Sequence, residues 1–272
     1  IPIFTLSEVL GIPEEDRHKL ATWMEFLELA QYLSAENLKQ QTGNQEDMEV
    51  DPSMIELFEN MVQEMFDYGK HILQEKRKNP QNDLLSAIAN AELDGAKLSQ
   101  EYLDGSWLLI IFAGNDTTRN SISGAIKLLT EFPDQKKKLL DNLDLLPNFA
   151  QETIRMVSPV IHMRRTTTCE TTLGNQKIGK GEKIIMWYGA ANRDPAVFPN
   201  PNNFDIEREN ADKHLAFGIG RHTCVGKPVA LMQLAESYTQ ILKRFPNIHM
   251  NGEWKVAPNN FVHAIQEMPV KF

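Results

Sequence analysis

The sequence predicts a mainly helical chain with a few small β-sheets, an α+β class, and three observations predict it. Apolar residues recur at three- and four-residue spacing through most of the first 145 positions. A nearly all-apolar stretch, "WLLIIFAG" at 107–114, lies inside a long helical pattern from Ser99 to Phe132. From about residue 160 the pattern changes to alternation, glycine turns and prolines. The 272 residues read as a single domain, helical over 1–158, with hairpins, coil, one last helix and short strands over 159–272.

Taken in order, "SEVLGIPEEDRHKLATWMEFLELAQYL" (7–33) has helical spacing, and the polar, acidic 34–53 reads as a surface loop. A strongly periodic helix over 54–78 is stopped by Asn79-Pro80. A short helix, "DLLSAIANAEL", leads to a turn at Asp94-Gly95. The segment from Ser99 to Phe132 is expected as one long helix through the interior, ended by Pro133. Two further helices follow, the second being "LPNFAQETIRMVSP". "TTLGNQKIGKGEKIIMWYG" (171–189) reads as a hairpin, and the proline-rich 192–210 as a meandering coil. The last helix is "KPVALMQLAESYTQILKRF", and 247–272 reads as short strands.

Composition excludes several classes. A net charge of −9 argues against a nucleic-acid partner. Two cysteines far apart make no disulfide framework and suit a reducing compartment. The longest apolar run is too short for a membrane anchor, and "IPIFTLSEVLG" has no signal-peptide pattern, so a cytoplasmic location is expected.

Chemistry concentrates in "HLAFGIGRHTCVG" (214–226). Cys224 stands at a loop-to-helix junction among glycines that let the backbone turn tightly, and a helix N-terminus favours a thiolate there. Three readings are open: an inert buried cysteine, a zinc ligand with His214 and His222, or a thiolate ligand to haem iron. In the third, Phe217 shields the sulfur, and Arg221 and His222 meet a propionate. A second polar cluster, "AGNDTT" (113–118), interrupts the apolar segment, and Thr117 can bond back to the Ala113 carbonyl and open the helix. Ala113 and Gly114 would leave room for a diatomic ligand. "AQETIR" places Glu152 and Arg155 on one helical face.

The ordered pattern Phe217-x-x-Gly220-x-His222-x-Cys224-x-Gly226 resembles the haem-binding loop of the cytochrome P450 family. The acid-alcohol pair Asp116-Thr117 and the Glu152-x-x-Arg155 motif stand in that family's order. The resemblance implies the C-terminal two-thirds of that fold, with the long central helix over the haem and the family's N-terminal third absent from this chain. It implies haem b bound by Phe217, Gly218, His222, Cys224, Gly226, Arg165, Ala113 and Gly114, with Cys224 on the iron and Arg164 an alternative to Arg165. Asp116 and Thr117 would manage protons, and Glu152, Arg155 and Arg208 would form a structural lock. Ile110, Val160, Ile161 and Phe261 would line the substrate.

The implied reaction inserts one atom of O2 into a C–H bond, with electrons from NAD(P)H through a ferredoxin reductase and a ferredoxin. Lys213, Arg221 and Lys227 offer a basic docking patch for that ferredoxin, diluted by Glu209 and Asp212. "IIMWYGAANRD", "HMRRT" and "NNFVHAIQEMPV" look like bacterial alkane and fatty-acid terminal hydroxylases, and "FTLSEVLGIPEEDRHKL" like terpenoid and sterol-side-chain hydroxylases. A hydrophobic, chain-like substrate is expected. The alternative is a truncated, catalytically inactive fragment or haem-binding remnant of such an enzyme.

Overall fold

The computed structural model describes residues 1–27, 52–257, 259 and 261–272. The chain divides into two compact units, Ile1–Arg119 and Asn120–Phe272, each with its own core. That division falls at 119/120, within a helix, whereas the change of sequence pattern falls at 158/159.

In the first unit, α1 (Pro2–Leu10) ends at Gly11, whose φ of 69° is the left-handed cap that glycine adopts without strain. The periodic segment expected to run on from Ser7 therefore breaks, and helix resumes as α2 over 17–27. Its expected continuation to Leu33 and most of the 34–53 loop lie outside the described residues. Helix α3 (Pro52–Lys78) stops before Asn79-Pro80 as its sequence requires. Asp83 caps α4 (Leu84–Asn90) by accepting the Ser86 amide at 2.7 Å. Strands β1 (Glu92–Leu93) and β2 (Ala96–Lys97) close over Asp94 and Gly95, both at positive φ as a tight hairpin turn demands. Helix α5 (Gln100–Ala113) starts from the Ser99 cap. Leu10, Leu20, Trp23, Met65, Leu73 and Trp107 make the core.

The single central helix expected from 99 to 132 is two helices. α5 ends at Ala113, Gly114 and Asn115 form a turn, and α6 (Asp116–Glu131) begins afresh. The cause lies in the local sequence. The Thr117 hydroxyl donates to the Ala113 carbonyl at 3.0 Å, and Gly114 carries the weakest non-proline helix preference at the break.

In the second unit, α7 (Pro133–Asp141) and α8 (Leu146–Val157) follow. The hairpin expected over 171–189 belongs to two separate sheets. β4 (Thr171–Leu173) pairs with β5 (Gln176–Ile178), but β6 (Lys183–Trp187) pairs with β3 (His162–Thr166). Register explains the difference: five cross-strand pairs, His162 with Trp187 through Thr166 with Lys183, are available only to β3. A one-turn α9 (Tyr188–Ala191) opens the coil, and α10 (Lys227–Arg244) is the last helix. The C-terminal strands β7 (His249–Met250), β8 (Lys255–Val256), β9 (Ile265–Glu267) and β10 (Val270–Lys271) pair as β7 with β10 and β8 with β9. Phe149, Ile154, Phe204, Ile206, Leu234 and Tyr238 fill the core between α8, α10 and the coil.

Candidate functional site

The Cys224 loop, in the second unit, is built by its backbone. Gly218 and Gly220 have φ of 69° and 72°, a conformation closed to most side chains. Those two turns let the Cys224 amide donate to the Phe217 carbonyl at 2.8 Å, while the Thr223 amide and hydroxyl both donate to the Gly220 carbonyl. Gly226 does a different job from the backbone freedom expected of it. Its φ of −80° is ordinary, and a Cβ there would stand 3.7 Å from the Cys224 sulfur. Its bare Cα keeps that side of the thiol open.

The start of the loop is anchored by a residue that the sequence reading did not single out. Buried Asn192 accepts the Leu215 amide at 2.6 Å and donates to the Ser158 hydroxyl at 2.8 Å. Nothing in its sequence context marked it, since asparagine in a coil is common. Phe217 packs on the core, and the Lys227 ammonium lies 5.6 Å from its ring centroid. Arg221 and His222 are exposed on the loop's 3-10 turn.

His214 cannot serve as a zinc ligand. Its Nδ1 accepts the Ala216 amide at 3.2 Å, so Nε2 carries the proton and donates to Gln151 Oε1 at 3.1 Å. Among the described residues no cluster of three His, Cys, Asp or Glu is placed to hold a metal ion. The inert-cysteine reading also fails on burial, because Cys224 is exposed. The same loop exposes two apolar side chains, Ile219 at 76% and Val225 at 79%, which the described residues leave largely uncovered. This donor set fits a flat apolar macrocycle ligated by one thiolate, and it does not fit a small hydrated ion.

Burial, followed by the positive charges of Lys227 and Arg155, pushes the His214 pKa down to about 4. The folded chain then keeps this ring neutral at pH values where the unfolded chain protonates it. Stability contributed by neutral His214 is therefore whole above the ordinary value of 6.5 and falls as pH drops toward 4, by roughly 3 kcal/mol in all. Urea denaturation of the wild type and His214→Asn across this range should show a shallower pH slope in the variant. Equal slopes would refute the assignment.

Glu152, Arg155 and Arg208 come together as expected. Arg155 pairs with both Glu152 oxygens at 2.7 and 2.8 Å, and Arg208 Nε donates to both at 3.1 Å. The remaining guanidinium hydrogens reach the carbonyls of Asn192, Pro199, Asn200, Pro201 and Asn203. This lock pins the coil that precedes the Cys224 loop.

Val160, Ile161 and Phe261 are also neighbours. Val160 bridges Val262, and the Ile161 amide donates to the Phe261 carbonyl at 2.8 Å. Arg165 is exposed on β3, with a guanidinium hydrogen on the Arg164 carbonyl. Strand alternation puts Arg164 and Arg165 on opposite faces, Arg164 with His162.

In the first unit, Asp116 is buried at the start of α6, where the helix dipole favours its charge, and Arg119 pairs with it at 3.2 Å. Arg119 was legible only as an i, i+3 spacing. Thr117 is half-buried, and its hydroxyl hydrogen is committed to Ala113. Ala113 is exposed and Ile110 half-buried on α5. The vacant side of Gly114, expected as room for a diatomic ligand, is taken by Leu6: a Cβ there would lie 2.8 Å from Leu6 Cδ1 and 2.9 Å from the Ile110 carbonyl. Its missing side chain serves helix packing.

The "Cytochrome P450" family model matches residues 24–270. A cytochrome P450 of Bacillus subtilis is 34% identical over 278 residues, covering 100% of this chain and 63% of its own length. The linalool 8-monooxygenase of Pseudomonas putida is 32% identical, covering 99% and 62%. A Mycobacterium marinum cytochrome P450 solved with pseudoionone superposes with a TM-score of 0.83 at 34% identity, covering 100% of this chain and 62% of that one. The chain thus spans under two thirds of the length of these relatives. A match that runs through both units and takes in the Cys224 loop, the Asp116-Thr117 pair and the Glu152 lock shows that the chain belongs to the cytochrome P450 family.

Proposed function

We propose that this chain carries the haem-thiolate site of a monooxygenase acting on an apolar, chain-like substrate. One observation supports the reading above the others: an exposed thiol on a loop shaped by two left-handed glycines, a loop that also exposes Ile219 and Val225 among the described residues. Cys224 would ligate the iron, with His222 and Arg165 or Arg164 available to the propionates and Phe217, Gly218 and Gly226 shaping the loop. Haem, when bound, supplies the activation of O2 and its transfer to a C–H bond.

The chain's own residues bind, exclude water and carry protons. Buried Asp116, held by Arg119, is a carboxylate able to pass a proton. The Thr117 hydroxyl, which donates to the Ala113 carbonyl, stands next to Asp116 in sequence at the first turn of α6. Within the second unit, Val160, Ile161 and Phe261, brought together beside β3, are the candidate substrate-lining residues, and in the first unit Ile110 is a candidate. The names of similar proteins support the substrate class: a steroid at C26, linalool at position 8 and a methyl-branched lipid at its omega position are what those enzymes are named for. Electrons would come from NAD(P)H through a reductase and a ferredoxin docking near Lys213, Arg221 and Lys227. Among the described residues no helix is long and apolar enough to cross a membrane.

A second reading is an inactive fragment or haem-binding remnant of such an enzyme; the chain spans 62–64% of the length of the first relatives. The reduced carbon monoxide spectrum of the haem-loaded chain separates the two. A thiolate-shifted band, lost in Cys224→Ala, is expected. A neutral-thiol or histidine-type band, or no bound haem, would favour the fragment reading.

A further inference from the structure

Three large aromatic side chains of the first unit are in mutual contact, and one of them holds its proton against a base. Trp23, Tyr68 and Trp107 form a triangle with ring centroids 5.3, 5.9 and 6.3 Å apart. Trp23 and Trp107 are fully buried. Gly69 makes the packing possible, because a Cβ there would stand 2.4–2.7 Å from the Trp107 indole. The Tyr68 hydroxyl donates to Asp16 Oδ2 at 2.9 Å, across 52 residues of sequence. Lys19 pairs with the other Asp16 oxygen at 2.8 Å and lies 5.1 Å from the Tyr68 ring centroid.

We propose that Trp107, Trp23 and Tyr68 form a one-electron oxidation relay that ends on Tyr68, whose phenolic proton passes to the Asp16 carboxylate. The hydrogen bonds set the direction. The Trp107 Nε1–H donates to the Met65 carbonyl at 2.9 Å. A carbonyl is too weak a base to take the proton, so an oxidised Trp107 stays a strongly oxidising cation. Tyr68 faces a carboxylate, and an oxidised phenol is a far stronger acid than any carboxylic acid. The step balances: an indole radical cation takes one electron from Tyr68, the phenolic proton moves to Asp16, and a neutral indole, a neutral tyrosyl radical and a protonated Asp16 result. The initial electron leaves to an external one-electron oxidant or by light. The relay would carry oxidising equivalents out of the buried core to a half-buried phenol, and it stands independently of the monooxygenase reading.

Laser photoionisation of the chain carrying Trp187→Phe and Trp254→Phe tests this, since Trp23 and Trp107 are then the only indoles of the original four. Nitrous oxide and tert-butanol consume the ejected electron and the hydroxyl radical derived from it. The tryptophanyl absorption should decay by first-order kinetics independent of protein concentration, with a matching rise of tyrosyl absorption. Tyr68→Phe should abolish the rise and lengthen the indole radical's life by about an order of magnitude, and Asp16→Asn should slow the transfer comparably. Tyr68→Phe keeps the ring and its packing, so a lost signal reports lost chemistry. A tyrosyl signal that survives Tyr68→Phe, or a rate indifferent to Asp16→Asn, overturns the relay.

Discussion

Glu152→Ala is expected to unfold the second unit, or to leave it without fixed packing, at temperatures where the wild type is folded. Glu152 and Arg155 are 0% exposed and Arg208 is 7% exposed, so two guanidiniums share one carboxylate away from water. Five backbone carbonyls supply the remaining acceptors, and Glu152 also accepts the Asp205 amide at 3.0 Å. Removing the one anion leaves two buried like charges side by side. Breaking a buried pair in this way costs about 3–5 kcal/mol, against a total stability of about 5–15 kcal/mol for a typical domain. Glu152→Gln keeps an acceptor oxygen and should be the milder variant, still well below wild type. Circular dichroism with urea titration reads both, and a midpoint unchanged in Glu152→Ala would refute the argument.

The second large effect is expected in the first unit, at Lys76 and Asp83. Their side chains are 8% and 6% exposed and meet at 2.5 Å. Lys76 also donates to Gln81, while Asp83 caps α4 through the Ser86 amide. Asp83→Ala therefore removes a helix cap, worth about 1 kcal/mol, and strands a buried ammonium, worth about 3–5 kcal/mol. Gly11 packs against the same pair, since a Cβ there would lie 2.4 Å from Asp83 Oδ2, so the end of α1 should loosen with it. Burial raises the Asp83 pKa, but the hydrogen bonds from Lys76 and Ser86 outweigh it and hold the pKa below the ordinary 3.8. Its stabilising charge is accordingly kept above that pH and lost as pH falls through the lowered value. Native-state hydrogen exchange should show α1 and α4 opening together in Asp83→Ala at neutral pH. Unchanged protection in both would count against the pair.

Elements written in local terms were legible. The stop at Asn79-Pro80, the turn at Asp94-Gly95 and the helix after Cys224 are each specified by a few adjacent residues whose backbone preferences do not depend on the rest of the chain. The Thr117 back-bond to Ala113 and a local opening of the helix there were foreseen for the same reason, though the full division of the segment into two helices was not. Periodicity counts apolar positions and passes over a two-residue turn.

Chemistry followed the same division. Residue type and spacing marked the Cys224 loop, and the family resemblance carried by that loop pointed to Asp116-Thr117 and to Glu152-x-x-Arg155, a spacing that would say little alone. Pairings between distant segments waited for the tertiary structure: β6 with β3 instead of β5, Leu6 in the space beside Gly114, Asn192 under the Cys224 loop, and Asp16 on the Tyr68 hydroxyl. Each depends on which groups remain to be satisfied once the cores are packed, and a buried donor or acceptor finds its partner by proximity in space. Sequence fixes a residue's own capacities; packing decides which of them are used.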